Sequence, residues 1–86
     1  KRGKATMTIL DSHWGTKLGA KEVEMYRGII ASGQRDEFGV KPLNLYYNEA
    51  GRTFCFSDAP SIEAVRKAHE KMGVKCDEIV EVKTLV

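Results

Sequence analysis

Cysteine is scarce in this chain: two residues, Cys55 and Cys76, among 86. That is too few for a disulfide scaffold, and a reduced, cytosolic location is the expectation. No C-x-x-C pair occurs, which argues against a copper-chaperone type of site. No apolar run approaches the ~18 residues that a membrane-spanning helix needs. The basic start at Lys1, Arg2 and Lys4 is followed by mixed polar sequence rather than an apolar core, so no signal-peptide pattern is read. The chain begins with Lys1, so a few native residues are expected to precede it. Charge of one sign is not in excess either. The 14 Lys and Arg against 12 Asp and Glu give a net charge of +2. That is too mild to imply a nucleic-acid partner. A glycine-rich phosphate loop is also missing.

What is present is ordinary for a folded protein, with 42% hydrophobic and 30% charged residues. One domain over residues 1–86 is expected. "ATMTILDSH" (5–13) is rich in β-branched and apolar residues and reads as a strand. From Ala20 to about Arg35 the spacing of Val23, Tyr26, Arg27, Ile30 and Ala31 predicts a helix. Gly28 within it implies close packing against a neighbour. Leu43, Leu45 and Tyr47 alternate with Asn44, Tyr46 and Asn48 in a strand that Pro42 opens. "NEAGR" turns the chain, and "TFCFSDA" returns as a hairpin partner. Ala64, Val65, Ala68 and Met72 make one stripe of a second helix. Asp58 or Ser61 is placed to cap it, and Gly73 to end it. "DEIVEVKTLV" supplies the last strand.

The order strand, helix, strand, strand, helix, strand predicts an α+β, ferredoxin-like βαββαβ domain. Its four-stranded antiparallel sheet would carry two helices on one face, with the first and third strands in the middle. The Arg and Asn of a glycine-rich acylphosphatase loop are absent. The aromatics of an RNA-recognition sheet are only weakly echoed by "TFCFSDA".

The sheet's uncovered face is where function is expected. If Phe54 and Phe56 point to the helices, Thr53, Cys55 and Ser57 point away. Tyr46 and Ile79, with Glu81 and Lys83, would share that open side. The parity of the first strand is open. Asp11 and His13 share one side, and on the open face they would approach Cys55. Cys55 is then a thiolate ligand or redox thiol, against the plainer reading of a small apolar filler. Asp11 and His13 can share a metal or a proton, against a polar strand end. His69 stands beside the apolar stripe of the second helix, where a half-buried surface residue is the plainer reading. Cys76 reads as a loop cysteine without special role.

The segment from Leu45 to Val82 resembles a family of small ferredoxin-like proteins with nickel-binding members. The matching elements are Tyr46, Gly51, Phe54-Cys55, Ala59-Pro60, His69, Gly73 and Asp77-Glu78-Ile79 with Glu81-Val82. "LDSH" (10–13) is similar to the family's Asp-x-His. The resemblance implies a homodimer able to hold a divalent metal such as nickel. It carries over His13, Cys55 and His69 as ligands, with Asp11 as a weaker fourth. Some members have a further His where Met72 stands here.

Imidazole with thiolate suits nickel, copper or zinc better than calcium or magnesium, and the resemblance points to nickel among them. The leading expectation is therefore a small cytosolic metal-binding protein, non-catalytic and paired through its sheet face. The alternative is a dimeric α+β-barrel enzyme or small-molecule-binding protein, with His13, Tyr46 and His69 as polar groups in a sheet-face cleft. A third is a regulatory module that only dimerises and contacts another protein.

Overall fold

In the computed structural model, residues 5–15 and 17–85 are described. The basic cluster Lys1, Arg2 and Lys4 lies outside them. The elements are β1 (Met7–His13), α1 (Ala20–Ser32), β2 (Lys41–Tyr47), β3 (Thr53–Ala59), α2 (Ile62–Met72) and β4 (Glu78–Val82). The strands form one antiparallel sheet in the order β2-β3-β1-β4. The expected βαββαβ order and central pair are both present, and the fold is ferredoxin-like α+β.

Helix α2 forms because its apolar positions fall on one side and its ends are chemically marked. The Ser61 hydroxyl accepts the Ala64 N–H at 3.0 Å, which satisfies one of the free donors of the first turn. Gly73 ends the helix at φ 72°, in the left-handed region, and its N–H reaches back to the Glu70 carbonyl. Ala64, Val65 and Ala68 are buried against Ile9 of β1 and Ala59 of β3, with Val40 completing the cluster. Fully burying Val65 contributes about 1.5–3 kcal/mol.

Helix α1 is a looser element that packs on β2, and none of its residues is buried. The close approach expected at Gly28 is absent among the described residues, since nothing beyond its own stretch of helix comes within 4 Å of where a Cβ would stand.

The facing of the strands differs from the sequence expectation. Ile9 belongs to the core beneath α2, and it pairs with Ser57. Asp11 pairs with Cys55 on one side and with Ile79 on the other. Paired residues share a face. Cys55, Ser57, Ile79, Asp11 and His13 therefore face the helices, and Phe54 and Phe56 face away. The reason is steric. Small side chains on β3 let α2 approach the sheet closely, so the phenylalanines occupy the roomier side. There Phe56 meets Tyr46 edge-on at 5.7 Å between ring centroids. Tyr46 on the open side, and Leu45 and Tyr47 on the other, agree with the expected alternation. No helix among the described residues is long and apolar enough to cross a membrane.

Candidate metal centre

The site is built where the end of β1, the last turns of α2 and the 73–77 loop meet. The alternation of β1 places Asp11 and His13 two residues apart on the helix-facing side. His69 looks down from α2, one position after Ala68 of the buried stripe. The left-handed turn at Gly73 then folds the chain back, so Cys76 returns beside the helix that it has just left. Asp77 N–H binds the Ser12 carbonyl at 2.9 Å and fixes the loop to β1.

Asp11, His13, His69 and Cys76 each offer one donor atom, and all four atoms lie within 4.8 Å of one another. Donors on opposite sides of an ion are separated by about two bonds of ~2.0–2.3 Å, so this spacing matches a common centre. Asp11 is wholly buried and His13 nearly so, while His69 and Cys76 are partly exposed.

The hydrogen bonds determine which nitrogens are free. His13 Nδ1 lies 2.8 Å from the Lys75 carbonyl, and His69 Nδ1 lies 2.8 Å from the Val65 carbonyl. A carbonyl can only accept, so both Nδ1 atoms carry the hydrogen. Both Nε2 atoms then turn to the same carboxylate oxygen. Asp11 Oδ1 is 2.8 Å from His13 Nε2 and 3.4 Å from His69 Nε2. The two rings are 5.1 Å apart. Backbone carbonyls on the outer nitrogen, with the inner nitrogen free, are what orients a metal-ligating histidine.

Asp11 Oδ2 is buried without a hydrogen-bond partner of ordinary geometry. Leaving a carboxylate oxygen so placed is costly, and an ion at the centre of the four donors would relieve it. The donor set of two imidazoles, one carboxylate and one thiol fits a borderline divalent cation.

The titration behaviour follows from this crowding. Burial pushes the Asp11 carboxyl up, but hydrogen bonds to His13 and then His69 outweigh it, and the net shift is downward. His13 is raised, chiefly by its bond to Asp11. Burial opposes the charged form of His69, yet the bonds to Asp11 and to the Val65 carbonyl raise it overall. The Cys76 thiol is pushed up to about 11 by burial and by Asp11, with Arg66 acting in the opposite direction. The shifts of Asp11, His13 and His69 are each in the direction that favours protons on the imidazoles beside a charged carboxylate. A divalent cation would take their place, and would draw the proton from the thiol as well.

Of the residues singled out in the sequence, Asp11, His13 and His69 come together, beneath the helices rather than on the open face. Cys55 is not among the four converging donors. It sits next to Asp11 on β3, and burial first, then the Asp11 charge, push its thiol up to about 12. The candidate donor that sequence reasoning missed is Cys76. Its signal was present: a glycine-ended helix reverses the chain, so a residue three places after the glycine can stand beside the helix's last turn. Tyr46 lies on the other face of the sheet from His13, so these two do not share a cleft.

A search of curated proteins finds no match to the chain. Among solved structures, the crystal structure of SCO4226 from Streptomyces coelicolor A3(2) superposes with a TM-score of 0.70. It is 28% identical, and the match covers 92% of this chain and 99% of that one. The family profile described as "Nickel responsive protein SCO4226-like" matches residues 13–82, a span that holds His13, His69 and Cys76. The chain therefore belongs to the SCO4226-like family of nickel responsive proteins.

Proposed function

We propose that the protein is a small, non-catalytic divalent-metal-binding protein of the cytosol, with nickel as its ion, acting as a homodimer. Asp11, His13, His69 and Cys76 hold the ion. The observation that carries this reading is the convergence of two Nε2 atoms on a buried carboxylate, while both Nδ1–H groups are tied to peptide carbonyls. Such an arrangement leaves only the inner nitrogens to bind a cation. The description of the family as nickel responsive favours nickel over zinc or copper, which the same donors would also accept. Pairing through the open sheet face fits the apolar side chains gathered there.

The test is calorimetric titration of untagged protein with nickel, zinc and copper, checked by elemental analysis. One ion per chain is expected, with nickel binding weakened more than about tenfold in Asp11→Asn. Nickel binding of equal strength in the wild type and in Asp11→Asn would overturn the assignment.

A further inference from the structure

The four donors stand at the inner end of a cavity of about 380 Å³ between α2 and the 73–77 loop. His69 and Cys76 line it, while Asp11 and His13 are buried behind them. An ion held by all four would thus have its accessible side toward this space. A water molecule needs ~30 Å³, so the cavity is far larger than one aquo ligand requires.

Its charges are unevenly committed. The Asp77 carboxylate accepts the Trp14 N–H at 2.6 Å, and Glu78 accepts the Ser12 hydroxyl at 3.3 Å with Arg52 at 3.9 Å. Both acids are therefore engaged toward β1. Arg66, on the α2 side, makes an exposed pair with Glu63 at 2.7 Å, an arrangement of little energetic weight. Lys75 adds a second cation, and Glu70 is the acid that opposes them. Arg66 lines the same cavity as Cys76. One carboxylate and one thiolate already cancel a divalent ion, so an added anion needs a cation nearby, and Arg66 supplies it.

We infer that this cavity takes a small chelating carboxylate, of the amino-acid or hydroxy-acid class, which completes the coordination of the bound ion while Arg66 pairs with its carboxylate. The inference rests on the metal-binding reading above. It makes the protein a receptor for a metal chelate rather than for the bare ion.

The full chain is loaded with cobalt(II), whose visible spectrum reports its ligands, and titrated with glycine in one arm and lactate in the other. Ion content is measured after gel filtration. A saturable spectral change with the ion retained is expected in at least one arm, and which arm responds identifies the class. Arg66→Met should weaken that titration about tenfold in samples of equal ion content. A spectrum unchanged at millimolar carboxylate, loss of the ion to the added chelator, or an Arg66→Met chain that titrates like the wild type would each overturn the inference and leave metal binding intact. A chain that takes up no cobalt or nickel at the outset instead overturns the underlying metal assignment.

Discussion

Burying a carboxylate, two imidazoles and a thiol in one small volume is costly unless their charges offset one another. Asp11 meets that requirement through its hydrogen bond to His13 and its approach to His69, which favour the charged forms of all three groups. The two cysteines then part company. Cys76→Ser should lower nickel affinity more than about tenfold, because an alcohol oxygen is a poor substitute for a thiolate. Cys55→Ser should change it little, and parallel calorimetric titrations compare the two. The ion-free chain also has a defined pH response. His13 and His69 have raised values, so their contribution to stability is complete below their unfolded value of 6.5 and is lost as pH rises through the folded ones. Asp11 is depressed, so its contribution is present above its unfolded value of 3.8 and is lost as pH falls through the folded one. Thermal melts without metal should therefore show a falling midpoint as the solution is made alkaline above neutrality. Added nickel should reverse that trend, since deprotonated imidazoles bind it better.

At the scale of elements, the order of helices and strands was legible because period and punctuation agreed. Ser61, Gly73 and the alternation of β2 each mark a boundary that the structure places within a few residues. The facing of β3 was not legible. "TFCFSDA" offers two phenylalanines to one side and Thr53, Cys55 and Ser57 to the other. Hydrophobicity alone assigns the phenylalanines to the core, while the closeness of α2 selects the small residues. That one inversion put the expected cluster on the open face, whereas Asp11, His13 and His69 converge beneath the helices. Glycine positions separate by context in the same way. Gly28→Ala meets open space in a regular helix and should stabilise the chain by about 0.5–1 kcal/mol. Gly73→Ala must adopt φ 72° and should cost about 1–2 kcal/mol. Because the loop after Gly73 presents the Lys75 carbonyl and Cys76, the second variant should also bind nickel less well. Denaturant melts and a nickel titration of both variants check the pair.

At the scale of the whole molecule, the two helices lie on one side of the sheet among the described residues. Leu10, Phe54, Phe56, Tyr46, Val80 and Val82 share the other side, and Tyr46 and Val80 are exposed there. At one end Arg52 stacks on Trp14 at 4.3 Å and on Phe54 at 4.8 Å. A second copy with the same face would bury these groups mutually. Sedimentation equilibrium should accordingly return about twice the chain mass of 9.6 kDa. Phe56→Glu should return the single mass while keeping one nickel per chain, because Phe56 lies on the opposite face from the four converging donors. A wild-type chain that sediments alone would remove the dimer and leave the metal centre standing.

The peptide oxygens of Lys75 and Val65 fix more than ring orientation. With the outer hydrogens held by the backbone, the only acid that an arriving cation can displace is the inner one on each ring, together with that of the thiol. Uptake of a divalent cation should then release protons, and a pH electrode in weakly buffered solution would read the total released per ion added.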